Sequence, residues 1–358
     1  MDDYQDAIYS YQPLWGTWLV DELIGSGSFG RVYRIYHQDY GHTYTSVVKI
    51  ITIPGVEPSQ KTIMEPDAEQ TRHTIIEPDA DKHTIHGYYQ DMVHDLVNEV
   101  NILYSLSGNS NILGYHDHKI IEHKDRIGWD ILIRMEYAKP LSILLSERQM
   151  TMGDILMLGI DLCQALEICH KKGIIHRDIK DENIYISDDG LYKLGDFGIA
   201  MKLSRGGWTA SMHGTPHYMA PEIYRGESYG LAVDIYSLGI VLYRLLNHGR
   251  LPHLTAYPEA ISTDAGKTAL ERRMNGEPFR DPDQAGPALS RVIMKACSYL
   301  ASSRYPTATL LKKDLGKIRS RLSAAEQKAC VTMISPVIAT KDPPRLSAMS
   351  LPLLNNRQ

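Results

Sequence analysis

The sequence predicts an α+β fold in two lobes, a small β-rich lobe followed by a larger helical one. Runs rich in β-branched and aromatic residues crowd the first part of the chain, and helical apolar periodicity dominates from Leu141 onward. Between the early strands and the first long helix lies a break at 54–87, with Pro54, Pro58, Pro66 and Pro78 and few large apolar residues.

Each element follows from its local pattern. The stretch 14–53 reads as strands: 19–25 leads into a glycine-rich turn, and 32–36 and 44–51 carry the β-branched and aromatic content. The break repeats itself, with Thr-Ile-Met-Glu-Pro-Asp-Ala from Thr62, Thr-Ile-Ile-Glu-Pro-Asp-Ala from Thr74 and His-Thr-Ile from His83. Two or three short copies do not make a solenoid, so 54–87 is read as an exposed insertion. Met92, Leu96, Val100 and Leu103, flanked by Val93 and Val97, then recur at helical spacing. Strands return over 112–121 and 127–137. The spacing predicts helices over 154–172, closed by Gly173, over 233–246, apolar on nearly every side, and over 288–298 and 307–323. From about Thr332 the chain is Pro/Ser-rich and unpatterned, which predicts a flexible tail. The expected organisation is an N-terminal extension at 1–13, one domain at 14–322 holding the insertion, and a tail at 323–358.

Composition narrows the function. Hydrophobic residues make up 43% and charged residues 23%, with a net charge of −5, so no electrostatic footprint for nucleic acid or a membrane surface is present. The sequence has no apolar run of the roughly 18 residues a membrane span needs, and its acidic start does not resemble a signal peptide. Cys163, Cys169, Cys297 and Cys330 have neither metal-ligand spacing nor a disulfide framework, which points to a cytoplasmic setting.

Three segments carry chemistry. Gly25, Gly27 and Gly30 lie in Gly-Ser-Gly-Ser-Phe-Gly-Arg-Val, where glycines permit a tight turn and close approach of backbone to phosphates. The pattern alone also fits a dinucleotide site, but that needs a helix after the turn, and here a strand follows. Lys49, on the next strand, is within reach of nucleotide phosphates and needs a carboxylate to hold it; Glu99, on the helix after the insertion, suits that role. The third segment is His176-Arg177-Asp178-Ile179-Lys180-Asp181-Glu182-Asn183, followed by Gly195-Asp196-Phe197-Gly198 and Ala220-Pro221-Glu222.

In order and spacing, these segments resemble the signature set of the protein kinases over roughly 14–320. The resemblance implies an ATP-dependent phosphotransferase using Mg²⁺, with protein substrates bearing Ser or Thr. Phosphoryl transfer passes through a loose transition state, so positioning and charge neutralisation carry the catalysis. Asp178 would accept the substrate proton, Lys180 would contact the moving phosphate, and Asn183 and Asp196 would hold the metal. Phe197 would pack against the helix of Glu99. Met135 resembles the gatekeeper before a hinge of Glu136, Tyr137 and Ala138, with Ile24, Val32 and Val47 above the adenine and Tyr185 below it. Glu222 would pair with Arg304, and Asp234 would brace the backbone at His176 and Arg177.

Two positions depart from the family pattern: Val47 replaces the usual alanine and Asp181 the usual proline, and neither removes a catalytic group. Lys180 and the pair Gly214-Thr215 resemble Ser/Thr rather than Tyr kinases, and segments 243–252, 271–278 and 295–297 resemble bacterial eukaryotic-like Ser/Thr kinases, among which the lack of a membrane span in the sequence leads us to expect a soluble, cytoplasmic member. Arg177 would meet a phosphate on the following loop, for which Thr209 and Ser211 are candidate acceptors. Thr62 and Thr74 are candidate autophosphorylation sites that would recruit a phosphothreonine-binding partner. The rival readings are a non-catalytic kinase-fold scaffold and a small-molecule phosphotransferase.

Overall fold

The computed structural model describes residues 7–27, 30–53, 82–197, 216–262, 264–333 and 338–339. A short helix α1 (Ala7–Ser10) precedes three antiparallel strands, β1 (Leu19–Gly27), β2 (Gly30–Asp39) and β3 (His42–Ile53). Helix α2 (Lys82–Leu106) leads to β4 (Tyr115–Glu122) and β5 (Trp129–Glu136), completing a five-stranded sheet in the order β1-β2-β3-β5-β4. In β5 the side chains alternate between the two faces, as the strand period of two requires. Trp129, Ile131 and Ile133 join Tyr89, Val93, Leu96, Val100 and Leu103 of α2 in one hydrophobic cluster.

Leu132 joins a different cluster on the sheet's other face, with Tyr33, Ile35, Val48 and Ile50, and this cluster is completed by Ile8 and Leu14. Residues 7–13, predicted as an extension, are therefore part of the lobe. Tyr11 Oη donates to Asp130 Oδ2 at 2.6 Å, and Gln12 Oε1 accepts from Val20 N at 2.7 Å. A segment that buries only isolated apolar residues leaves no periodic trace in the sequence, which is why the reading placed it outside. The helix also begins earlier than predicted: 82–87, assigned to the insertion, are the first residues of α2. No proline follows Pro78 to stop the helix from extending back that far.

The second lobe opens with β6 (Lys139–Pro140), α3 (Leu141–Glu147), β7 (Met150–Thr151) and the long α4 (Met152–Lys171). A capping box starts α4: Thr151 Oγ1 accepts from Asp154 N at 3.1 Å, and Asp154 Oδ2 accepts from Thr151 N at 2.8 Å. Strands β8 (Ile184–Ile186) and β9 (Tyr192–Leu194) pair antiparallel beneath the cleft between the lobes. Helices α5 (Pro221–Tyr224), α6 (Ala232–Leu245), strand β10 (Ile261–Ser262), α7 (Ala265–Met274), α8 (Pro287–Ala296) and α9 (Ala308–Arg321) follow. The lobe packs around α6, which is buried on nearly every side, as its apolar sequence predicts.

The chain does not leave the lobe at 322. Helix α10 (Ala324–Lys328) and β11 (Cys330–Val331) fold back, with Val331 opposite Met150 of β7 and only 2% exposed. Strand β12 (Ile338–Ala339) pairs in parallel with β10. The flexible tail expected at 323–358 is thus ordered onto the lobe for at least its first eleven residues. Serine at 323 with glutamate at 326 is a capping box that the sequence reading passed over.

Candidate functional site

The glycine turn joins β1 and β2, with Gly25 opposite Val32 and Gly27 opposite Gly30. The glycines serve different ends. At Gly30, φ is +118° and an added Cβ would lie 2.1 Å from Ile50 O, so the fold itself excludes a side chain. At Gly25 a Cβ would meet nothing closer than 3.6 Å, so packing does not require glycine there. A bare backbone at Gly25 fits the close approach of a ligand.

Register places the remaining roof residues. Lys49 lies between Val32 of β2 and Ile133 of β5, and Val47 lies opposite Met135. Val47 is buried, whereas Ile24 is 44% exposed at the mouth. At the end of β5, Ser46 Oγ donates to Met135 O at 2.6 Å. Glu136 accepts from Gly114 N at 3.0 Å and from Lys193 Nζ at 2.9 Å. These bonds fix the backbone that leads into Tyr137 and Ala138. Below, the ring of Tyr185 packs against Gly195, where a Cβ would come within 2.7 Å of it. Burial, then the nearby Asp196 carboxylate, pushes the Tyr185 phenol up, so it stays protonated.

The catalytic segment runs from α4 to β8. Asp234, at the start of α6 and 0% exposed, holds it from below. Its Oδ2 accepts from His176 N at 3.0 Å and lies 2.9 Å from His170 Nε2, and its Oδ1 accepts from Arg177 N at 2.9 Å. His176 Nδ1 accepts from Asp178 N at 3.3 Å, so the ring proton sits on Nε2 and is donated to Gly195 O at 2.9 Å. Arg177 and Asp196 adopt positive φ, +70° and +53°, a conformation that costs energy in side-chain-bearing residues and recurs at functional sites.

Asn183 Nδ2 donates to both Asp178 O and Asp178 Oδ2 at 2.8 Å, and Lys180 Nζ pairs with Asp178 Oδ2 at 2.8 Å. Oδ2 is thereby occupied, whereas Oδ1 accepts from no donor among the described residues. Both acceptors of Asn183 lie on its amino side, which turns its carbonyl oxygen away from Asp178. Asp196 Oδ1 pairs with Lys49 Nζ at 2.8 Å. Burial raises the Asp196 pKa, but the Lys49 ammonium outweighs it and holds the carboxyl below its usual range. The sequence reading gives Lys49 to Glu99. The backbone of Glu99 lies in α2 and its side chain is outside the described residues; the carboxylate set against Lys49 is that of Asp196.

The donors fit Mg²⁺. Asn183 offers an amide oxygen and Asp196 a second carboxylate oxygen, both hard ligands. Among the described residues no group of three or more His, Cys, Asp or Glu could hold a metal.

Phe197 packs against the hydrophobic clusters of both lobes, with its ring 4.7 Å from that of His176. Arg304 and Glu222 form a buried two-pronged ion pair, Nη1 to Oε1 at 2.6 Å and Nη2 to Oε2 at 2.8 Å. The guanidinium of Arg177 lies 5.4 Å over the ring of Tyr229, and its buried Nε has no partner among the described residues. Thr62, Thr74, Thr209, Ser211, Gly214 and Thr215 fall outside the described residues.

One set of contacts was missed by the sequence reading. Asp181, noted there only as a departure from proline, is 5% exposed. It forms an ion pair with Arg244 at the end of α6 and accepts from Tyr218 Oη at 3.2 Å. The available signal was a lone arginine near the end of a nearly all-apolar helix, together with a carboxylate where the pattern has none.

A two-lobed α+β fold with a glycine turn, a strand lysine and a catalytic segment of this geometry defines a nucleotide-dependent phosphotransferase class. The family model for the protein kinase domain matches residues 77–316, which is more than half of the chain. The chain belongs to the protein kinase family. It is 32% identical over 262 residues to a probable serine/threonine-protein kinase of Clostridium perfringens, covering 70% of this chain and 36% of that protein. It is 38% identical over 162 residues to serine/threonine-protein kinase PknB of Mycolicibacterium smegmatis, covering 44% and 25%. Over 224 residues it is 32% identical to serine/threonine-protein kinase STE20 of Eremothecium gossypii, covering 61% and 21%. The chain thus spans between 21% and 36% of the length of these curated relatives.

Proposed function

We propose that the chain is an ATP-dependent serine/threonine protein kinase. The observation that carries this reading is the state of Asp178, with one carboxylate oxygen held by Asn183 and Lys180 and the other open, beside the paired Lys49 and Asp196. In the proposed reaction the Ser or Thr hydroxyl oxygen forms a bond to the γ-phosphorus and the bond from γ-phosphorus to the β–γ bridging oxygen breaks. Asp178 takes the hydroxyl proton, and ADP carries away the electron pair of the broken bond. Mg²⁺, when bound at Asn183 and Asp196, supplies charge neutralisation on the phosphates. Lys49 orients the α- and β-phosphates, Lys180 faces the moving group, and the bare backbone at Gly25 and Gly27 covers the phosphates. Ile24, Val32, Val47 and Tyr185 bracket the adenine, and the backbone of Glu136 and Ala138 pairs with its edge. Glu99 is assigned to support Lys49.

The test is phosphorylation of matched Ser, Thr and Tyr peptides by the chain with Mg·ATP. Asp178→Asn is expected to lower turnover by about 10²–10⁴-fold, the usual contribution of a positioned base, with nucleotide binding kept. Nucleotide binding without turnover in the unaltered chain would establish the scaffold alternative instead. Four free cysteines, three of them buried, support a cytoplasmic setting, and among the described residues no helix is long and apolar enough to cross a membrane. Recruitment of a phosphothreonine-binding partner by Thr62 and Thr74 is part of this proposal, supported by their matching sequence contexts. Mass spectrometry after incubation with Mg·ATP checks it: an absence of phosphate on both residues removes it.

A further inference from the structure

Helix α7 turns Ala269, Arg273 and Met274 inward. Arg273 is 3% exposed, on a face that otherwise packs apolar groups. Its Nη2 donates to Pro216 O at 3.1 Å, its guanidinium lies 6.0 Å over the ring of Tyr236, and its buried Nε has no partner among the described residues. Among the described residues no carboxylate answers its charge. Glu277 is engaged by Arg272 at 2.7 Å, and Glu222 is held on both oxygens by Arg304. Nor do the acidic neighbours ionise: burial pushes the Cys297 thiol and the Tyr236 phenol each up to about 12, so both remain neutral. A buried cation without a counter-charge is unfavourable, and such groups in folded proteins normally find an anion.

Arg273 lines a cavity of about 330 Å³ with Tyr236, Phe279, Met294, Cys297 and Tyr299, and Glu277, whose carboxylate is paired with Arg272, stands in the same wall. That volume lies at the small end of the range for small-molecule sites, and the mix of aromatic walls with few polar groups is typical of them. We propose that this cavity binds a small organic monoanion, an aromatic carboxylate, with its charge on the Arg273 Nε–H and its ring against Tyr236, Phe279 and Met294. One guanidinium offers one charge, so a phosphate dianion would bury a second charge unmatched. A neutral ligand of the same shape could accept from Nε but would leave the guanidinium charge unmatched.

The position of the site gives binding a consequence. Arg273 holds Pro216, which opens the turn containing Tyr218; Tyr218 O accepts from Ser237 Oγ at 2.8 Å, and Tyr218 Oη donates to Asp181 beside Lys180. A carboxylate that fixes the guanidinium would steady the turn next to the catalytic segment. This consequence rests on the proposed kinase activity, whereas binding itself does not.

The test measures binding first. Benzoate, phenylacetate and indole-3-acetate are titrated into the full chain carrying ¹³C-methyl methionine, each beside its neutral primary amide, and the Met294 methyl resonance is followed. At least one acid should give a saturable shift, with its amide binding at least tenfold more weakly. Met294→Trp, which fills the cavity, should abolish the binding, with the fold checked by circular dichroism. Should that variant fail to fold, competition between the acid and its amide at the Met294 resonance of the unaltered chain takes its place, and only the acid should saturate. The site is refuted if none of the three acids gives a saturable shift, if acid and amide bind equally, or if binding survives in folded Met294→Trp. Peptide phosphorylation with and without the bound acid then reads the coupling. Binding without any change in rate would remove the coupling and leave the site; binding in a chain that phosphorylates nothing would leave the site and remove the kinase reading.

Discussion

Replacing Asp181 tests the ionic grip of Arg244 on the catalytic segment. The side chains of Asp181 and Arg244 are 7% and 23% exposed. At an effective dielectric near 20, two charges about 4 Å apart attract by roughly 4 kcal/mol, and desolvation offsets most of that gain. Asp181→Asn therefore costs less through the lost attraction than through the arginine left behind. Removing one partner of a fully buried pair costs about 3–5 kcal/mol. Arg244 keeps some access to water, so about 2–3 kcal/mol is expected, a fall of about 4–6 °C in Tm at roughly 2 °C per kcal/mol for a domain of this size. Asp181→Pro should cost about as much, because Lys180 already has the extended conformation (φ −156°, ψ 169°) that precedes proline. The double variant Asp181→Asn/Arg244→Leu removes both charges and should recover most of the loss. Thermal and urea unfolding of the unaltered chain, Asp181→Asn, Arg244→Leu and their double variant form a double-mutant cycle. If Asp181→Asn melts with the unaltered chain, or the double variant loses the sum of the two single losses, the pair does not hold the segment as argued.

Other perturbations probe the frame of the second lobe. Thr151→Ala removes the oxygen that accepts from Asp154 N and should cost about 1 kcal/mol, read as a shift in urea midpoint with an unchanged slope. Burial raises the Asp154 pKa, but Arg148 and the Thr151 backbone and side chain outweigh it and hold the carboxyl below its usual range. Its contribution is therefore present above the unfolded pKa and is lost as pH falls through the lower folded one. The stability gap between the unaltered chain and Asp154→Asn should close on acidification, and a gap that widened would contradict the assignment. Ending the chain at Leu322 removes the buried Val331 and the bond from Met152 N to Ala329 O at 2.9 Å. That should cost about 3 kcal/mol, roughly 2 for the side chain and 1 for the hydrogen bond, relative to a chain ending at Met333, and calorimetry of the two truncations checks it.

The sequence made the site more legible than its surroundings. Lys49, Asp178, Asn183 and Asp196 stand in short motifs whose chemistry demands those residue types, and the structure brings them into one cleft. Helices over 154–172 and 233–246 were visible because long apolar periodicity is hard to mistake, and they begin and end within two residues of the predicted limits. The N-terminal cap and the folded segment after 322 were not visible. Each is anchored by one or two buried residues, Ile8 and Leu14 at one end and Val331 at the other, and so few positions make no period. Asp181 was noticed for what it replaces. Its partner, 63 positions away, depends on how the catalytic segment lies along α6, which no local pattern encodes.

That arrangement explains how the second lobe fixes Asp178, the proposed base. Helix α6 grips the segment at both ends, through Asp234 in its first turn and Arg244 in its last. Ten residues of helix separate the two by about 15 Å at 1.5 Å per residue. Asp234 takes the backbone amides of His176 and Arg177, and Arg244 takes the carboxylate of Asp181. Asp178 lies between the two attachments, and its own carboxylate is set by Asn183 from within the same segment. No bond in this set reaches the first lobe. The base is positioned by a buried, nearly all-apolar helix, so movement of the first lobe can change where Lys49 sits without changing where Asp178 points. Of the contacts that span the two lobes, that of Lys49 with Asp196 joins groups of the cleft itself, and differences between resting and working states should appear there before they appear at Asp178.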